Sequence, residues 1–440
     1  NMLVSPRFGF NWDATGAGTS ILRGGVGIFT GRPPYVWMSN AFSNTGREQV
    51  TLLCTGTAVP TFTIDYDNQP TACASGGPPT PPTAAVNYFD PNFKFQQALK
   101  FALGIDHQLP GGVVAAVDFA YTQARNQIYL VDENLVAGSL NGEGRLMYGT
   151  ISSTGSATRT RRSTAFGQVI RHENRSADKS ASIVAQLNKR FSDNLAFNAS
   201  YAWARTQDLI SFGSSIASSN LQFTVLNGTL ENRELRTSGF DIPSKISLSG
   251  TANVPFGFAV SLIYNGLSGR PYAYISSNDA NADGISSNDA LYIPSDASDI
   301  SLTNAADWDR LNLWLVGEKC LNNYRGQLLE RNSCRNPWRH FVDLRLAKRF
   351  STFGNQGMEI TADVFNLLNL INNDWGLIRE TNNFDQKSGV LSVAGWDTRG
   401  TADPADDRPR YSVSSVLPTR ERVSVEASRW KIQMGVKYTW

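Results

Sequence analysis

The sequence is poor in the residues from which enzyme sites and metal centres are usually built. Its 440 residues hold three histidines, His107, His172 and His340, scattered and without a partner motif, and four cysteines. No Gly-rich phosphate loop, catalytic triad or paired-carboxylate constellation stands out beside them, so the chain reads as a non-enzyme. Charge is scarce as well: Asp, Glu, Lys and Arg make up 18%, against roughly 25% in an ordinary soluble domain. The two signs nearly cancel, 40 Lys+Arg against 38 Asp+Glu, so nothing points to nucleic acid or to a polybasic membrane patch. No run of about 18 apolar residues occurs, which excludes a transmembrane helix, and no basic-then-apolar signal segment opens the chain. Because the first residue is Asn1, the natural beginning is expected to lie upstream.

What is present is aromatic: 23 Phe, 14 Tyr and 10 Trp, far more than a disordered chain carries. At the C-terminus Trp430, Ile432, Met434, Val436, Tyr438 and Trp440 alternate with Lys431, Gln433, Gly435, Lys437 and Thr439. A period of two is a strand with one oily face. Its length suits the roughly 9–11 residues a tilted strand needs to cross a bilayer, and aromatics sit at both ends of the row, where membrane girdles place them. Ten further segments show the same alternation: 6–12, 22–28, 99–105, 113–121, 183–190, 195–203, 245–254, 256–264, 342–346 and 358–364. Between them, short turn-forming connections (14–19, 110–112, 192–194, 255–257, 352–356) alternate with long ones (30–92, 132–165, 208–240, 275–339, 369–421).

Short turns on one side and long loops on the other are the pattern of an outer-membrane barrel. The fold expected is therefore all-β: a transmembrane antiparallel up-and-down β-barrel, with its charged face turned inward because lipid cannot solvate it. A large soluble β-protein is the alternative, but its polar faces should carry more charge and its strands fewer end-placed aromatics. Bacterial single-chain barrels have even strand numbers, whereas the count here is eleven, half of the 22 strands of the plugged transporters. Residues 1–440 are thus expected to be the C-terminal half of a 22-stranded barrel, completed by preceding residues or by a second chain.

Four motifs carry a family resemblance. They are Ser5-Pro6-Arg7-Phe8-Gly9-Phe10-Asn11-Trp12-Asp13; Leu22-Arg23-Gly24-Gly25-Val26-Gly27-Ile28-Phe29 with Gly31-Arg32-Pro33-Pro34 after it; Asp343-Leu344-Arg345-Leu346-Ala347-Lys348-Arg349-Phe350; and Val364-Phe365-Asn366-Leu367-Leu368-Asn369. In this order and spacing the chain resembles the C-terminal barrel of TonB-dependent receptors, closest to the Oar-like group. The resemblance implies an active nutrient transporter of the bacterial outer membrane, with a plug and a TonB-binding segment upstream of Asn1. Trp440 resembles the C-terminal aromatic signal read by the barrel-assembly machinery. Other readings are a passive or protein-passing channel, and a structural or adhesion barrel. The expected partners are outer-membrane lipid, the assembly machinery, the TonB system and an unidentified ligand.

The charged positions expected to line the lumen are Arg7, Arg23, Lys100, Asp106, Asp118, Lys245, Asp343, Arg345, Glu359 and Asp363. In a long loop, Asp279, Asn281 and Asp283 precede Gly284 at the spacing of calcium-loop positions 1, 3, 5 and 6, with the Ile285 carbonyl as a further donor. Asp289 falls one place before the position of the usual bidentate carboxylate, so structural calcium competes with an Asx-rich turn. Cys54 and Cys73 share one long loop and Cys320 and Cys334 another, which makes two local disulfides the natural pairing, with zinc as the rival. Tyr35, Trp37, Trp308, Trp314, Tyr324 and Trp338 lie in outer loops, where rings either grip a ligand or pack the loop.

Overall fold

The computed structural model describes residues 2–43, 45, 54–74, 84–354, 356–380, 386–418 and 421–440. Eleven strands share one antiparallel sheet: β1 (Arg7–Asp13), β2 (Ser20–Thr30), β3 (Gln97–Leu109), β4 (Val113–Arg125), β5 (Lys179–Ser192), β6 (Leu195–Asp208), β7 (Ser244–Val254), β8 (Phe258–Leu267), β9 (Arg339–Ser351), β10 (Gly357–Phe365) and β11 (Lys431–Thr439). Their order in the sheet is their order in the chain, and the two-residue strand Arg236–Thr237 joins β6 at the rim. Among the described residues β1 and β11 pair with no further strand, so the meander stays open. No helix among them is long and apolar enough to cross a membrane.

The registers keep the two faces distinct. Val260, Leu262 and Tyr264 of β8 pair with Leu346, Leu344 and Val342 of β9, while Ser261 and Ile263 pair with Arg345 and Asp343. Directly opposed residues share a face, so the oily rows continue from strand to strand. That face is bare: Leu262 is 48% exposed and Met434 76%. Of the buried apolar residues described, the eleven strands supply only Ala116 and Ala347. A soluble sheet would bury its oily face, so this one is built for an apolar solvent.

Two lysines on the oily face keep their charge out of lipid. Nζ of Lys348 lies 4.2 Å from the Phe258 ring centre and 5.3 Å from that of Phe350, and bonds the Phe256 carbonyl in the short turn. Lys189 likewise reaches the Gly111 carbonyl and sits 5.4 Å from Phe191. Long stems lie along the apolar surface while the ammonium returns to the interface. Most strands run longer than their alternation marked, as β9 does, expected over 342–346 and found over Arg339–Ser351, and β8 begins later. Phe256 lies in the turn, with φ 66° beside Gly257 at 76°, and β8 begins at Phe258. Three residues, Pro255, Phe256 and Gly257, separate the paired Val254 and Phe258, and the last two take left-handed backbones as the chain reverses.

The apolar core lies in the long connections, which fold into a cap. Its largest cluster includes Tyr272, Tyr274, Leu291, Leu311, Leu329 and Tyr411, and a second includes Trp37, Ile128, Leu130, Ile170 and Leu221. Short strands stitch separate loops together. Pro271–Tyr274 pairs with both Cys334–Arg335 and Gln386–Lys387, and Phe166–Arg175 with both Ala84–Phe89 and Gln127–Asp132.

Candidate functional site

All ten charged residues expected in the lumen fall on the non-oily face by register. Several neutralise one another. Arg23 reaches Asp106 at 2.8 Å and Asp118 at 2.9 Å across three strands, and Arg345 reaches Asp363 at 3.3 Å and Glu359 at 3.8 Å. Arg349, which the sequence reading did not single out, takes Glu359 at 2.6 Å; its place two residues after Ala347 on the same face was the available signal. Arg7 and Lys100 both lie over the Phe29 ring, at 4.3 and 5.3 Å. Asp343, at the outer end, accepts the Asn366 N–H.

The cap holds a cavity of about 680 Å³. Its floor is the sheet of Gln127–Asp132 and Phe166–Arg175, whose alternation turns Arg171 and Arg175 to one side. Arg171 binds Glu133 and Glu173, each at 2.8 Å, and Asp90 at 3.0 Å. Burial opposes its charge, but these carboxylates, Asp90 foremost, more than compensate and raise its pKa. Arg175 binds Glu173 and covers the Tyr129 ring at 5.0 Å. Tyr88 donates to Glu133, and burial together with that bond pushes its hydroxyl up to about 12. Beneath them His172 is fully buried against Phe89, and burial holds its imidazole below the usual value. Asn134 closes the rim by accepting the Ser163 N–H and donating to the Ser163, Phe166 and Gly167 carbonyls. Arg162 stands exposed at the wall. The cavity sets these paired guanidinium and carboxylate groups beside apolar walls of Val86, Val131, Leu135, Phe166 and Val169.

A second polar centre is the 279–289 segment. Asp279 accepts the N–H groups of Asn281, Asp283 and Gly284, and Asp283 accepts that of Ile285. Asp289 accepts the Ala280 N–H and faces Arg145 at 3.6 Å. Burial pushes the Asp283 carboxyl up to about 6 and raises Asp279 and Asp289 as well. Among the described residues no group of three or more His, Cys, Asp or Glu is placed to hold a metal. A cation here would have to draw on amide and carbonyl oxygens.

The cysteines form two disulfides, Cys54–Cys73 and Cys320–Cys334, which leaves no thiolates for zinc. Of the loop aromatics, Trp37 belongs to one cap core and Trp308, Trp314 and Tyr324 pack against the other. Tyr35 and Trp338 are exposed, Trp338 stacking on His340.

A meander bare on its oily face, ion-paired on the other and roofed by folded loops is the wall of a transmembrane β-barrel. The chain belongs to the outer membrane beta barrel domain family, whose model matches residues 1–375, and its place is the bacterial outer membrane. No curated protein matches it. Among solved structures it is similar to the outer membrane transporter YddB from Escherichia coli, at 14% identity and a TM-score of 0.47, covering 84% of this chain and 37% of that one. A variant of the ferric enterobactin receptor PfeA from Pseudomonas aeruginosa aligns at 10% identity and a TM-score of 0.45, covering 99% and 40%. The copper transporter OprC aligns at 11% identity and a TM-score of 0.37, covering 92% and 38%. The chain spans less than half the length of these structures.

Proposed function

We propose that residues 1–440 are the C-terminal part of a TonB-dependent importer, supplying barrel wall and outer cap for the inward transport of a polar nutrient ligand. The observation that carries this reading is the cap. Open pores conduct without a roof, whereas here three long connections share the core that includes Tyr274, Leu291 and Tyr411, and parts of three, two of them not in that core, line a cavity that holds Arg171, Arg175, Glu133 and Glu231. The resemblance of the strand motifs to TonB-dependent receptors points the same way. In this reading the inner-face ion pairs meet an upstream plug, the edges of β1 and β11 meet the remaining strands, and exposed Trp440 addresses the chain to the assembly machinery. Open backbone edges in lipid cost several kcal/mol per unpaired group, which is why partners for both edges are required.

Planar-bilayer conductance of the complete protein tests import against the passive channel. An importer closed by a plug carries no steady potassium chloride current, and the isolated C-terminal domain of TonB binds it. A steady current without TonB binding would overturn the reading.

A further inference from the structure

We propose that the 279–289 segment is a calcium site that locks the cap. The observation beyond its sequence pattern is Asn288, which the calcium spacing did not include. Its side chain is fully buried, its Oδ1 has no hydrogen-bond partner, and its Nδ2 donates to Asp283 Oδ2 at 2.7 Å. A half-turn of that amide exchanges nitrogen and oxygen and brings Oδ1 toward the carboxylate oxygen. Two oxygens that close repel each other unless a cation lies between them. Asn281 Nδ2 approaches the same Asp283 oxygen at 3.3 Å, so two amides and a carboxylate converge on one point.

Asp279 at the first position and the Ile285 carbonyl complete a donor set made wholly of oxygen, the chemistry calcium prefers over softer metals. Asp289 is engaged by the Ala280 N–H and Arg145, so Asn288 takes the place the sequence reading gave to Asp289. Gly284, at φ +84°, takes the left-handed backbone that favours glycine, with the tip of the Arg159 side chain against it.

The location gives the ion its role. The Tyr148 N–H donates to the Asn281 carbonyl at 2.7 Å, the Leu226 N–H to that of Asn288 at 2.8 Å, and the Val393 N–H to that of Ser277 at 3.0 Å. The segment, with Ser277 just before it, therefore joins three other long loops to its own. An ion there holds the cap shut or ordered, independently of what the barrel transports.

The test is terbium luminescence and calcium titration calorimetry on the full chain in detergent, stripped with chelator. One saturable site is expected, filled by ~1 mM free calcium, the range of extracellular modules, and not filled by magnesium. Asn288→Ala should weaken it by at least the ~10-fold that even an outer-shell partner is worth to a metal, and Asp279→Ala with Asp283→Ala should abolish it. Calcium should also slow tryptic cleavage after the exposed Arg162 and Arg399 in the wild type. Absence of binding, or binding unchanged by Asn288→Ala, overturns the proposal. The second outcome decides the matter even if the double variant fails to fold. Neither outcome bears on uptake.

Discussion

At the scale of single residues the cap depends on buried charges that must keep their partners. The Arg331 guanidinium is buried and reaches Asp208 Oδ1 at 2.8 Å, while Ser238 and Ser211 donate to the same carboxylate. Arg331→Met strands that carboxylate without a cation, and the expected cost is ~3–5 kcal/mol. Asp208→Asn in the same chain should recover much of the loss, as read by urea unfolding followed through tryptophan fluorescence. Additive losses would mean that the two groups do not act as a pair. Near them Asp178 accepts the Leu209 N–H at 3.0 Å. Burial, assisted by the Asp208 charge, pushes its carboxyl from 3.8 up to about 7 against that bond and Arg331. Between those values the folded chain holds a proton that the unfolded chain has released. Stability from this group is therefore complete below the lower value and falls as pH rises toward the upper one. Half-buried as it is, Asp178 should account for ~1–2 kcal/mol after solvent screening. Asp178→Asn should flatten the slope of cap stability between pH 4 and 7, and an unchanged slope would assign it to other groups.

At the scale of elements, the eleven wall strands were legible because each writes its fold locally: alternation along a strand such as β11 sets its faces without knowledge of its neighbours. The cap was not legible in this way. Its strands are two to ten residues long and find partners far away, as Pro271–Tyr274 does with Cys334–Arg335 and Gln386–Lys387. Such pairings leave no periodic trace. Apolar runs such as Tyr272–Ile275 and Leu291–Ile293 were a visible hint that a core lay inside the connections, since exposed loops have no use for them. Asn288 and Arg331 left no signal at all, because a polar residue in a loop announces burial only through its contacts. The Cys320–Cys334 bridge shows the converse, a local feature that stabilises a non-local core. It spans 14 residues and places Cys334 inside the largest apolar cluster. Closing a loop of that size is worth ~3 kcal/mol. Reduction, or Cys320→Ser with Cys334→Ala, should therefore lower the midpoint of cap unfolding while leaving the wall strands folded by infrared spectroscopy. Concerted loss of both would show that cap and wall unfold as one unit.

At the scale of the whole molecule the chain is inside out relative to a soluble domain. Among the described residues its buried apolar side chains sit almost wholly in the loops, while the sheet leaves its oily face exposed. The low charge content follows from that inversion, because eleven strands give one face to lipid and leave charge only to the opposite face and the cap. Adjacent residues on one strand test it with the same chemical change. Leu262 and Ser261 are neighbours in the middle of β8, and register assigns them to opposite faces. Leu262→Arg should destabilise the folded barrel by ~2–4 kcal/mol, the cost of a cation at mid-bilayer depth. Ser261→Arg should cost well under half of that, because its face is wet and Arg345, directly opposite, is already flanked by Asp343 and Asp363. Folding of the complete protein into phosphatidylcholine vesicles, followed by heat-modifiable gel mobility and urea titration, reads both. Equal penalties at the two positions would mean that the oily face does not meet lipid, and the assignment of the sheet to a membrane wall would fall with it.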